Sequence, residues 1–217
     1  MHKKSTHLDL WLVDPNSIEK VTYLAKLVKK VFSLNLQGDE LIISANINNR
    51  GDYIVFSDSS KNTLYKYSVL TNELKKLVIN EKFRKNPSRF LFFTDKDLIV
   101  SVTLLGKVLI YNINNDNVEK EITLNSMKSL ILNCDLNQTG SFLCLTTIEN
   151  QIIVADLISG EINRSLPHPN SFVNQLKFLN NNTIIIIDEN NKFYLINIKE
   201  SQFHAFTRDN FEKVFWN

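Results

Sequence analysis

Residues 41–79 read LIISANINNRGDYIVFSDSSKNTLYKYSVLTNELKKLVI. Apolar, β-branched and aromatic runs alternate here with short clusters of Asn, Asp, Gly and Ser. Such runs fit a pleated, half-buried surface, and such clusters close turns. The stretch therefore predicts four strands joined by three tight turns. Arg50-Gly51-Asp52 sits in the first turn. As a tripeptide it looks like a cell-adhesion signal. As backbone chemistry it is a hairpin turn whose Gly51 takes a positive φ before the strand that starts at Tyr53.

The same grammar recurs three times. Residues 88–124 (SRFLFFTDKDLIVSVTLLGKVLIYNINNDNVEKEITL), 130–166 (LILNCDLNQTGSFLCLTTIENQIIVADLISGEINRSL) and 172–207 (FVNQLKFLNNNTIIIIDENNKFYLINIKESQFHAFT) each read as strand, turn, strand, turn, strand, turn, strand. The residues that open the third strand are Asn62, Gly106, Asn150 and Asn191, spaced by 44, 44 and 41 positions. Four strands per unit at a period of ~40–45 residues is the pattern of β-propeller blades. Gly140 stands before Phe142 as Gly51 stands before Tyr53. In the second and fourth units Asp95-Lys96-Asp97 and Asn180-Asn181-Asn182 fill that turn without glycine.

The N-terminal residues fit as a half-blade over 7–28. HLDLWLVD (7–14) matches a third strand and KVTYLAKLV (20–28) a final one. A helical spacing through Ile18, Val21, Leu24, Leu27 (or Val28) and Val31 competes with the second of these. The expected architecture is thus all-β: a partial β-propeller of about four four-stranded antiparallel blades, a half-blade before them, and a tail over 208–217. Unclosed, such an array exposes a sheet edge. That leads to the expectation of further sequence in a longer propeller protein, or of a covering partner.

Composition limits the function classes. The 217 residues are 43% hydrophobic and 22% charged, with a net charge of +2. That is globular and too balanced to announce nucleic-acid binding by charge alone. MHKKSTHLDLW has no apolar core of a secretory signal, and no run approaches the ~18 apolar residues of a membrane helix. Two cysteines, Cys134 and Cys144, fit a reducing compartment and read as small buried hydrophobes. About 28 asparagines make the sequons at Asn137, Asn163 and Asn181 read as chance.

Chemistry is sparse. His2, His7, His168 and His204 form no metal spacing, and the five glycines stand singly, so no phosphate loop exists. Asp39-Glu40 and Asp188-Glu189 read as solvated turn residues. No enzyme, cofactor, metal or small-molecule substrate is expected. One basic cluster stands out in NEKFRKNPSRF (80–90): Lys82, Arg84, Lys85 and Arg89, interleaved with Phe83 and Phe90, with Lys75-Lys76 upstream. Its cations suit RNA phosphates and its aromatics suit a base, or the cluster suits a protein partner. Lys29-Lys30 is a weaker second candidate.

HLDLW, YLAKL, SANINNRGDYIVFSDSS with LYKYS, FVNQLKFLNNNTIIIIDENNKFYLINI and the tail FHAFTRDNFEKVFW together resemble cirhin-type WD-repeat proteins, in their C-terminal part. Phe206, Thr207, Arg208 and Trp216 fall where that family carries its tail residues. A clean Trp-Asp or Gly-His repeat signature is missing. The resemblance implies a non-catalytic scaffold of the small-subunit processome. Such a scaffold resides in the nucleus and nucleolus and acts in pre-rRNA processing, small-subunit rRNA maturation and rDNA transcription. Its partners would be other processome subunits and pre-rRNA, with no membrane. A WD-repeat adaptor of another multiprotein complex is the alternative.

Overall fold

A computed structural model describes residues 7–13, 28–35, 41–68, 70–124, 129–166, 169–200 and 202–206. Its strands follow the sequence repeat. The first unit holds β3 (Ser44–Ile47), β4 (Tyr53–Ser57), β5 (Asn62–Ser68) and β6 (Glu73–Lys76). The second holds β7 (Phe90–Phe93), β8 (Leu98–Val102), β9 (Lys107–Asn112) and β10 (Asn117–Thr123). The third holds β11 (Ile131–Leu136), β12 (Phe142–Thr147), β13 (Ile152–Asp156) and β14 (Ile162–Leu166). The fourth holds β15 (Val173–Phe178), β16 (Thr183–Asp188), β17 (Phe193–Asn197) and β18 (Gln202–Phe206). Each unit is one antiparallel sheet whose strands pair in sequence order, the meander of a propeller-like blade.

Ahead of them, β1 (His7–Val13) pairs with β2 (Val28–Asn35). The first strand lies where the half-blade placed it. The second lies later than the expected 20–28, and residues 20–27 are outside the described ones. Val28 and Val31, which the helical spacing included, are strand.

Three apolar cores each lie between successive sheets. Tyr53, Val55 and Leu64 of the first sheet meet Leu91, Ile99 and Tyr111 of the second. Val100, Val108 and Ile110 of the second meet Leu143, Leu145 and Ile153 of the third. Cys144, Ile152 and Val154 of the third meet Ile184, Ile186 and Tyr194 of the fourth. The alternation of a strand thus feeds two cores at once: Ile99 turns one way and Val100 the other, Leu143 one way and Cys144 the other. Polar bridges cross between first strands as well. The Asn46 amide donates to the Leu91 carbonyl (2.8 Å) and the Asn133 amide to the Val173 carbonyl (3.1 Å).

The opening turn behaves as its chemistry requires. Gly51 has φ +73° and Gly140 +71°, with Asp97 at +58° in the second sheet's equivalent turn. Asn48 and Asn137 hold the two glycine turns identically. The Asn48 side-chain carbonyl accepts the Asp52 and Tyr53 N–H groups at 3.0 Å each, and that of Asn137 accepts Ser141 and Phe142 at 2.9 Å each. Asn137 is buried, so the first sequon is a turn brace. Arg50 reaches Asp97 of the neighbouring sheet (2.5 Å) and Asp52 (3.5 Å), and the Asp52 carboxylate also accepts the Asn48 amide at 2.6 Å. The Arg-Gly-Asp side chains are engaged within the fold.

Candidate functional site

Every sheet begins and ends its meander at the same end of the array. That end carries the turns between second and third strands and the connections from sheet to sheet. The four predicted basic residues lie in one such connection, between β6 and β7.

Part of that connection is a helical turn, α1 (Glu81–Arg84), where the sequence pattern reads as loop. Asn80 caps it by accepting the Lys82 N–H at 2.9 Å, with Glu81 favourably placed in the first turn. An asparagine followed by a glutamate was the available signal. The turn is anchored from below. The buried Asn62 amide donates to the Phe83 (2.9 Å) and Asn86 (2.7 Å) carbonyls, and its oxygen accepts the Ser88 hydroxyl at 2.9 Å. Asn150 repeats the device one sheet pair later, donating to Pro169 (3.1 Å) and Ser171 (2.9 Å).

This anchoring separates the predicted cluster. Phe83 is fully buried and stacked on Tyr111, with ring centroids 4.4 Å apart, so it is not free for a nucleobase. Its place within α1, on the buried side of the turn, makes it a core residue. Lys82 contacts Glu121 at 2.5 Å, and Lys107 approaches the same carboxylate at 2.9 Å. These two ammonium groups hold the Glu121 carboxyl down to about 2. Lys85 sits on Glu81 at 2.6 Å, lowering that carboxyl too, while Arg84 is looser on Glu81 at 3.7 Å. Arg89 points elsewhere, toward the Phe90 ring at 5.8 Å. Lys30 of the weaker pair faces Asp9 at 2.9 Å.

Two surfaces result. The first is an apolar groove of about 580 Å³ that crosses three sheets. Ile43 of the first sheet, Leu104 of the second, and Leu132 and Ile148 of the third line it, each 39–46% exposed. Arg89 stands at its wall, without a carboxylate partner among the described residues. Leu105, beside the groove in sequence, is more exposed still. The groove exists because sheet starts and second-to-third-strand turns share one end. Sequence alone scatters its residues over 105 positions. The second surface is a cleft of about 430 Å³ of mixed character, where the start of β5 meets the end of β6 and α1, lined by Lys61, Lys76 and Arg84 together with Leu77, Val78 and Ile79 among others.

Both cysteines and Asp188 are taken up by the fold. Cys144 is buried in a core, and burial and the nearby Asp135 push its thiol well above the ordinary range. Burial does the same for Cys134, helped by Cys144 and Asp135. Cys134 pairs across the sheet with Leu145 and Cys144 with Asp135, so the two thiols turn to opposite faces. Asp188 is a buried residue rather than a solvated turn residue. Burial pushes its carboxyl up, but hydrogen bonds from the Ser171 hydroxyl, the Lys192 N–H, the Tyr194 hydroxyl and the Asn190 N–H outweigh this and hold it below the usual range. Among the described residues no group of three or more His, Cys, Asp or Glu is arranged to hold a metal ion. His2, His168, Asp39 and Glu40 lie outside the described residues.

No protein-family model matches the chain, and no curated protein matches it.

Proposed function

We propose that the chain is a non-catalytic interaction scaffold built on a WD-repeat-type propeller, acting in the small-subunit processome. The single observation that carries the scaffold reading is the apolar groove. Soluble proteins rarely expose a contiguous cluster of large aliphatic side chains unless a partner covers it. Here Ile43, Leu104, Leu132 and Ile148 form such a cluster across three sheets. Its place among turns and connections, held by rigid sheets, is where binding residues concentrate. The occupant it suits is a protein segment with apolar anchors and one carboxylate for Arg89.

The narrower assignment rests on the sequence resemblance to cirhin-type proteins. It places the scaffold in the nucleolus, in pre-rRNA processing and small-subunit rRNA maturation, with a link to rDNA transcription. Depletion of the protein then raises precursor rRNA, and a tagged chain co-sediments with large pre-ribosomal particles. Unchanged precursor levels end this assignment. Recovery of a defined coat, ubiquitin-ligase or chromatin complex instead establishes the adaptor reading. In either assembly, Leu132→Asp with Ile148→Asp strips the partner while leaving the fold intact by circular dichroism. Full partner recovery by that variant removes the groove from the proposal.

A further inference from the structure

The apolar groove is part of a longer rim, and the chemistry along that rim changes in a fixed order. In each sheet the residue that leads into the first strand meets the end of the second strand, where the turn to the third begins. In the third and fourth sheets the turn itself holds that leading residue. The Ile148 N–H donates to the Leu130 carbonyl at 3.0 Å and the Glu189 N–H to the Phe172 carbonyl at 2.9 Å. The turns also hold the lead of the next sheet. The Leu104 carbonyl accepts the Ile131 N–H at 3.2 Å, and the Asn150 side chain donates to the Ser171 carbonyl (2.9 Å) and accepts the Val173 N–H (3.3 Å). Leads and turns thus follow one another without a break from sheet to sheet.

The second sheet places Arg89 and Leu104 on this rim, the third Leu130 and Ile148, and the fourth Phe172 and Glu189. Leu104, Ile148 and Phe172 are 43, 46 and 52% exposed. Arg89 and Glu189 are exposed as well. Among the described residues neither has an ion-pair partner. Arg89 rests near the Phe90 ring (5.8 Å), and Glu189 accepts the Phe172 N–H at 3.2 Å. A cation on one sheet and an anion two sheets on therefore bracket an aliphatic middle. Stacked sheets lie ~10 Å apart, so the two charges are separated by ~20 Å along the rim. An extended chain covers that distance in about six residues and a helix in about 13. A helix of that length occupies ~1,600 Å³, well beyond the 580 Å³ of the groove.

We infer that the rim binds an extended peptide segment of another protein and reads its charge order. A carboxylate of the segment meets Arg89, aliphatic side chains lie over Leu104, Leu130 and Ile148, and a cation about six residues from the carboxylate meets Glu189. The two rim charges set register and specificity, and the aliphatic contacts supply the burial. This inference rests on the groove being an interaction surface and adds what that surface recognises.

The test is a selection of random displayed peptides of about 16 residues on the full chain, long enough for either spacing. Selected sequences should carry an acid and a base about six residues apart, with aliphatic residues between. Synthetic copies, followed by fluorescence anisotropy, should bind Arg89→Glu ~10-fold more weakly, and exchanging the peptide's acid for lysine should restore the loss. Glu189→Lys should behave as the mirror image toward the peptide's base. Lys96→Glu, on an exposed turn at the opposite end of the sheets, should change affinity less than ~2-fold. Should a charge reversal disturb folding, Arg89→Gln and Glu189→Gln give the same order of losses. Aliphatic peptides with no charge preference, a spacing near 13, or no rescue by the exchanged peptide would overturn the inference and leave the groove as an interface. An empty selection overturns it too. Peptides that bind Leu132→Asp with Ile148→Asp as well as the unaltered chain would overturn the groove reading along with it.

Discussion

The second strands of the third and fourth sheets have much the same apolar content and quite different surroundings. In β12, Leu143, Cys144 and Leu145 are all fully buried, because a core lies on each face. In β16, burial alternates: Ile184, Ile186 and Asp188 are buried, while Thr183, Ile185 and Ile187 between them are half-exposed. Phe193 and Leu195 of β17 continue that half-exposed face. The difference is one of neighbours. A sheet between two others is dry on both faces, whereas the fourth sheet has a described core on one face only. Residue type does not report this. TIIIID holds four consecutive isoleucines and yet buries only every other residue.

Mutation converts the contrast into numbers. Leu143→Ala removes a side chain enclosed on every side and should cost ~3 kcal/mol or more, whereas Ile185→Ala should cost ~1 kcal/mol. Urea unfolding of both variants measures the gap, and equal losses would mean that the fourth sheet's second face is as well covered as the third's. A smaller contrast separates the two glycine turns. A Cβ at Gly140 would come within 2.7 Å of the Thr94 methyl group, while one at Gly51 meets nothing within 4 Å. Gly51→Ala therefore carries only the left-handed backbone penalty of ~1 kcal/mol, and Gly140→Ala adds a clash with a stiff side chain for ~2 kcal/mol or more. Arg50→Gln next door should leave the unfolding midpoint where it is, since that guanidinium is exposed.

The last comparison is between Asp58 and Asp188, which close equivalent turns in the first and fourth sheets. Both carboxyls lie below their ordinary range: burial opposes this in each case, and hydrogen bonds prevail. A carboxyl lowered in the folded state binds fewer protons there than in the unfolded chain. Its stabilisation is full above the unfolded value near 3.8 and is lost as pH falls through the lower folded value. The two sites differ in how that charge is served. Asp188 satisfies its second oxygen with Ser171 and Tyr194, whereas one oxygen of Asp58 is buried without a partner. Asp188→Asn should flatten the acid limb of a stability–pH curve more than Asp58→Asn does. The reverse order would show that the Asp58 turn holds its charge more firmly than its contacts suggest.

Much of this was legible in the sequence, for a physical reason. Strand and turn chemistry is local, so the repeat set out by Asn62, Gly106, Asn150 and Asn191 located all four sheets. The left-handed Gly51 followed from the same logic. What escaped was decided by contacts distant in sequence. VKKVFSLN is less apolar than the neighbouring 20–28, yet it is the strand that pairs with β1, across a bulge between Leu10 and Trp11. The sequence order of Lys82, Arg84, Lys85 and Arg89 suggested one cluster. Glu121, 32 or more positions away, takes the first of them, and the fold directs the last to the groove. Lys61 and Lys76 join Arg84 only once β5, β6 and α1 are assembled.

The strict meander also bears on how the protein comes into being. Each sheet is complete within 33 to 36 consecutive residues, and no strand waits for a partner from another sheet. Loop closures are short throughout, so contact order within a sheet is low and pairing is fast. As the chain leaves the ribosome, every sheet can zip up before the next is made, and each then offers its finished face as a template for the one that follows. Growth of this kind is directional, and its speed is set by synthesis more than by search.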